Sequence, residues 1–177
     1  MGVVVDDLDA VATFFLDLGF EREGGALVEG EWVDKINGLD GVRAEMVMVR
    51  APDGSGKLEL VKYHAPADNE GVHPLPANRL GFRHIAIGVN DLNTMVDGLR
   101  DKGFDTVGEV RDFEDTYRLC YVRGPEGLIV ELAEQIAPQG SELGDHTALR
   151  LPYLAATSSD IVDEDPRSTP SATATRR

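Results

Sequence analysis

An α+β fold of two tandem βαβββ modules, with mixed sheets around a concave cavity and a disordered C-terminal tail, follows from three features of this 177-residue sequence. The sequence repeats itself. Each copy sets an apolar strand directly before an amphipathic helix. Each copy also ends in a hairpin whose last strand carries a glutamate. The repeat is explicit: "VVVDDLDAVATFFLDLGFE" (3–21) aligns without a gap on "IGVNDLNTMVDGLRDKGFD" (87–105). Further on, "MVMVRAPDGSGKLELVKY" aligns on "LCYVRGPEGLIVELAEQ" with one extra residue in the first copy. Arg50 then meets Arg123, Pro52 meets Pro125, Asp53 meets Glu126, Gly54 meets Gly127 and Glu59 meets Glu131.

The first module is expected over residues 1–64, its opening strand beginning at the first residue. Asp7 is placed to cap the helix that follows, and Leu8, Val11, Phe14, Phe15 and Leu18 recur at spacings of three and four. Gly19 suits the left-handed position that ends such a helix. The segment "EGGALVEGEWVDKINGLDGVR" has no counterpart in the second copy and is expected to form a loop or short helix over the sheet edge, with Trp32 in it. Two strands then enclose the Pro-Asp-Gly turn. Residues 65–80, "APADNEGVHPLPANRL", are rich in Pro, Ala and Asn and form the expected linker.

The second module, 81–136, repeats the order. Asp91 caps, Leu92, Met95, Val96 and Leu99 line one helix face, Gly103 closes it, and Pro125, Glu126 and Gly127 make the turn. After Gln135 the pattern stops. Residues 137–177 are rich in Ser, Thr and Pro and are expected to be disordered, although "ALRLPYLAAT" is apolar enough to dock on the domain or on a partner.

Composition narrows the function classes. Hydrophobic residues make up 42% of the chain, enough to bury a core. The formal charge of −15 opposes binding to nucleic acid phosphates or anionic membrane surfaces, so a small-molecule substrate is the expected partner. No apolar run approaches the roughly 20 residues of a membrane span, and the acidic start lacks the features of a signal peptide, which makes a cytoplasmic location the expectation. The single cysteine, Cys120, sits in "LCYV" and reads as a small core side chain without a redox role.

Strand alternation places the chemistry. In "RHIAIGV" the set Ile85, Ile87 and Val89 should face the helices, which turns His84 the other way. By the same parity Glu131 in "LIVEL" and Glu59 in "KLELV" face away from the helices. One imidazole and two carboxylates projecting into one cavity are costly unpaired, and a divalent cation would satisfy all three. Taken singly, a strand His or Glu is more often a structural or solvated residue; the repeat, by making Glu59 and Glu131 equivalent, favours a metal site.

The duplicated modules, with "HIAIGVNDL", "RAPDGSGKLEL" and "RGPEGLIVEL", resemble the vicinal oxygen chelate superfamily, the glyoxalase, bleomycin-resistance and extradiol-dioxygenase group, over residues 1 to about 135. In its metal-dependent isomerases a His, a Glu or Gln, a His and a Glu come from the first and last strands of each module. The resemblance implies metal ligation by Glu59, His84 and Glu131, and it puts the remaining His one position before Met1. Three explanations stand open: a start assigned too late, which is preferred here, three ligands completed by water, or a pocket that has lost its metal.

The reaction implied is of the glyoxalase I or acyl-CoA epimerase type, a metal-assisted proton transfer next to a carbonyl. The candidate bases are Glu131, Glu59 and Glu45, the last also matched with Arg118 as an ion pair across the pseudo-twofold axis. Tyr117, Arg118 and Tyr121 are candidate substrate contacts, and Trp32 is a candidate cover for the cavity mouth. The ion is Ni, Co, Mn, Fe or Zn, which these ligands do not distinguish. A ring-cleaving extradiol dioxygenase and a metal-free binding protein of the bleomycin-resistance kind are the alternatives, and a homodimer is implied by the family.

Overall fold

Pairing register confirms the duplication residue by residue. The computed structural model describes residues 1–136, so the expected tail and its "ALRLPYLAAT" segment lie outside the described residues. The first module contains β1 (Gly2–Val4), α1 (Leu8–Asp17), β2 (Glu21–Glu29), α2 (Glu31–Asn37), β3 (Arg43–Arg50) and β4 (Lys57–Ala65). Its sheet runs β1-β4-β3-β2, with β1 parallel to β4 and the other pairs antiparallel. The second contains β5 (His84–Val89), α3 (Leu92–Asp101), β6 (Asp105–Thr106), β7 (Arg111–Phe113), β8 (Tyr117–Arg123) and β9 (Ile129–Gln135). Its order is β5-β9-β8-β6, with β7 also on β8. Gly2 pairs with Glu59 just as Ala86 pairs with Glu131.

The two long helices are built alike. Asp7 accepts from the Ala10 N–H at 2.9 Å and Asp91 from the Thr94 N–H at 3.0 Å, so both aspartates cap as their position predicts. Bonds to Thr94 also hold the Asp91 carboxyl below its ordinary pKa. Both helices close in the same two-bond motif: Gly19 N–H donates to Leu16 and Phe20 N–H to Phe15, while Gly103 N–H donates to Arg100 and Phe104 N–H to Leu99. The motif needs a left-handed residue, which Gly19 (φ +89°) and Gly103 (φ +88°) supply.

One core joins the modules. Val11, Phe14, Phe15 and Leu18 of α1 and Leu92, Val96 and Leu99 of α3 share it with Val47, Val49, Leu58 and Leu60 of the first sheet. The second sheet adds Ile87, Cys120, Val122, Val130 and Leu132. Phe14 meets Phe104 edge-on at 5.0 Å, which makes α1 the contact between the copies.

The two turns differ in a way that matters for this contact. In the first, Asp53 bonds back to the Ser55 N–H at 2.9 Å, and bonds to Ser55 hold its carboxyl below the usual value. The longer Glu126 instead crosses to the other module, accepting from the N–H groups of Asp6 (2.9 Å) and Asp7 (2.5 Å) where α1 begins. A carboxylate there satisfies donors that have no intrahelical partner. Glu126→Ala is expected to lower stability by about 1 to 2 kcal/mol in urea unfolding, and an unchanged midpoint would show that the bridge contributes nothing.

Two segments are more closely built into the fold than expected. The first part of the extra segment of the first module continues β2 to Glu29, and the short helix expected there is α2, which packs Val33 with Val42, Ala44, Val61 and Tyr63 as a second small core. Residues of the linker dock on the second hairpin, where Arg123 Nη1 donates to the carbonyls of Leu75 (3.3 Å) and Gly127 (3.0 Å).

Candidate functional site

Because Leu58 and Leu60 point into the core, Glu59 and Val61 emerge on the opposite face of β4. Val130 and Leu132 do the same for Glu131 in β9, and Ile85 and Ile87 for His84 in β5. On the second sheet His84 and Glu131 come together. Nε2 of His84 lies 3.1 Å from Oε2 of Glu131, whose side chain is only 16% exposed. Tyr121, directly across from Glu131, brings its ring to 5.0 Å from the His84 ring. Tyr117, four residues earlier on β8, shares this face.

Glu59 stands apart from that pair. Both sheets give their apolar faces to one core, so each turns its acidic face away from it, and no three His, Cys, Asp or Glu side chains gather to hold a metal ion among the described residues. The expected triad of Glu59, His84 and Glu131 is therefore not assembled within one chain. Its two halves do keep equivalent places in their modules. In the first, Met1 fills the place of Ile85; its amino group donates to the Lys57 carbonyl at 3.0 Å, continuing the parallel ladder instead of approaching Glu59.

Three other candidates sit elsewhere than expected. Glu45 has the parity of Val47 and Val49, the helix face, and its Oε2 lies 3.3 Å from Nε2 of His64. Arg118 has the parity of Cys120 and Val122, again the helix face, and is held by Asp112 at 2.7 Å. The expected Glu45–Arg118 pair is thus replaced by two local pairs, because each residue finds a polar partner on its own sheet. Trp32, the candidate cover for the cavity mouth, lies on α2 and is 58% exposed.

The pair on the second sheet fits a divalent ion. Two ligand atoms each about 2.1 Å from a cation and at right angles to one another are about 3.0 Å apart, close to the His84–Glu131 separation. Burial accounts equally for Cys120: desolvation pushes its thiol from an ordinary 9.0 up to about 11. The sign of the linkage follows, since a raised folded value means stability is complete below about pH 9 and is lost as pH rises toward about 11. A thiol reagent at pH 8 is expected to leave the folded chain unmodified and to label it rapidly in urea; labelling of the folded chain at the unfolded rate would contradict that burial.

Sequence reasoning missed the surroundings of Glu59. Met48 lies across from it and Met46 across from Val61, with α2 over the neighbouring end of the face. The alternation in "MVMV" carries that signal, because placing Val47 and Val49 in the core puts both methionines beside Glu59.

Known proteins share this architecture. The model of the Glyoxalase/Bleomycin resistance protein/Dioxygenase superfamily matches residues 1–132. A probable lactoylglutathione lyase of Synechocystis sp. is 32% identical over 91 residues, which cover 47% of this chain and 70% of that protein. A glyoxalase family protein from Bacillus cereus superposes with a TM-score of 0.74 at 38% identity, covering 77% of this chain and 92% of that one. One from Enterococcus faecalis gives 0.51 at 24% identity over 76% and 94%, a likeness of fold alone.

Proposed function

The chain belongs to the Glyoxalase/Bleomycin resistance protein/Dioxygenase superfamily, and from that premise we propose that it is a metal-dependent lyase or isomerase of the glyoxalase I or acyl-CoA epimerase type. The observation that carries this reading is the convergence of His84 and Glu131 at 3.1 Å on the face opposite the helices. The probable lactoylglutathione lyase among its relatives supports the lyase direction.

His84 and Glu131 would hold the ion together with Glu59 of a second copy, which makes the working unit a homodimer in which each site takes one half from each chain. When bound, the metal supplies positive charge beside a carbonyl or enediolate oxygen as negative charge develops there. The chain's own groups do the rest. Glu131 or Glu59 takes the proton from the carbon next to the carbonyl, and it returns to the neighbouring carbon in a glyoxalase-type isomerisation or to the opposite face of the same carbon in an epimerisation. Tyr121, with its ring beside His84, holds the imidazole and shields that side from water, and Tyr117 lines the same face. The metal is one of Ni, Co, Mn, Fe and Zn.

A second reading, a metal-free pocket that sequesters a small molecule, draws on the separation of Glu59 from the other two ligands within the chain. Mass spectrometry of the purified protein, together with deuterium exchange at the α-carbon of a hemithioacetal or thioester, separates the two. Bound metal with exchange is the expected result. Absence of both, after each of the five ions has been offered, would leave the sequestering protein; oxygen uptake with catechols would instead make it a dioxygenase.

A further inference from the structure

Among the described residues β5 is the one strand of any length that lies open and undefended at a sheet rim. It has β9 on one side and no strand on the other. Sheets usually defend such a rim by charge, proline, a bulge or short length. The other rims have these defences: β1, β6 and β7 are two or three residues long, and β2 carries Glu21, Arg22, Glu23 and Glu29 and is broken by a bulge between Arg22 and Gly24. The six residues of β5, "HIAIGV", have no bulge, no proline and, after His84, no polar side chain.

A groove follows that rim. Two hollows of about 250 and 470 Å³ meet at Pro52 and Gly88. The smaller is lined by Phe20, Pro52 and Leu58 of the first module and by Ile85 and Ile87 of β5. The larger continues past Val89 to Leu18 and Met95. The groove owes its room to the shorter acid of the first turn. Glu126 crosses between the modules to the N–H groups of Asp6 and Asp7, whereas its counterpart Asp53 turns back to Ser55 and leaves the equivalent junction, beside Asn90 and Asp91, unfilled. Asp53 and Asp91 both line the groove, their carboxylates bonded locally, to Ser55 and Thr94, and not to a cation.

Chain enough to cover this groove leaves the fold beside it. Because β9 runs parallel to β5 with Glu134 across from Val89, the chain departs after Ile136 at the Val89 end of the rim. Residues 137–147 can extend about 36 to 40 Å, against roughly 10 Å across the two strands. Beyond them comes "ALRLPYLAAT", residues 148–157, with Leu149, Leu151, Tyr153 and Leu154 around one cation, Arg150.

We propose that residues 148–157 of the same chain run antiparallel along the open edge of β5 and fill the groove. Leu149, Leu151 and Tyr153 then turn their N–H groups to the outward backbone groups of β5, which a small apolar ligand would leave unpaired. Pro152, lacking an N–H, falls in the outer phase and closes the new rim to any further strand. Arg150 brings positive charge to the acids that line the groove. The docking is independent of whether a metal binds at His84 and Glu131.

Hydrogen exchange on the full-length protein, read residue by residue, is the test. In the parent, the amides of Leu149, Leu151 and Tyr153 are expected to exchange at least about tenfold more slowly than free peptide, together with alternate amides of β5. Leu151→Asp, which lies outside the two modules, should release both sets at once. Arg150→Glu should speed both by up to about fivefold, with the amides of α1 and β9 unchanged. Pro52→Glu alters the opposite wall of the groove and should release the same amides of residues 148–157 while α1 and β9 stay protected; protection that survives it would put the segment elsewhere and overturn the proposal. Free-peptide exchange of residues 148–157 in the parent would do the same. So would protection lost on dilution, since a second copy, and not the chain's own C-terminal segment, would then cover β5.

Discussion

Mixing Glu59→Ala chains with His84→Ala chains is expected to restore metal binding and proton exchange to about a quarter of the parent level, although each variant alone has lost them. In a two-fold dimer with shared sites, half the dimers formed after joint refolding are mixed, and one of the two sites in each mixed dimer is intact. Each single variant should bind its ion at least about 100-fold more weakly, since even groups that merely support a ligand contribute factors of about 10 to 100. The physical basis is the common core, which fills the space between the modules and turns Glu59 and the His84–Glu131 pair away from it. No recovery in the mixture, with dimers demonstrated by sedimentation, would mean that the carboxylate of Glu59 is not shared between chains.

Phe14→Ala should destabilise the protein by about 4 kcal/mol, a large part of the roughly 5 to 15 kcal/mol available to a domain. The ring is fully buried on α1, meets Phe15 at 5.6 Å and Phe104 at 5.0 Å, and presses on the backbone of Gly124, where an added Cβ would come within 2.7 Å of it. It thus touches both modules, and the cavity left behind could not close without moving one against the other. Urea unfolding is the measurement; a loss below about 1 kcal/mol would show that the contact between modules is not where the stability lies.

Much of this was legible in the residues. Asp7 and Asp91 cap, Gly19 and Gly103 terminate, and the two Pro-acid-Gly turns reverse the chain, because each of these is decided within a few residues by hydrogen bonding and backbone sterics. Face assignment was equally available. Counting by twos from Val47 or from Cys120 puts Glu45 and Arg118 on the helix side, and matching them as partners across the pseudo-twofold axis overlooked that count. Asp53 and Glu126 illustrate the boundary: equivalent in the repeat, they differ by one methylene, and only the longer one spans to the neighbouring module.

The sequence by itself determined the duplicated architecture, its caps and turns, and the face on which Glu59, His84 and Glu131 emerge, because alternation and helical spacing are local properties of the chain. Tertiary structure alone decided that Glu59 would be parted from the other two and that α2 would wall its face. Those outcomes depend on how α1 packs against the second module and Val33 against the first sheet, contacts between residues far apart in the chain that no local period encodes.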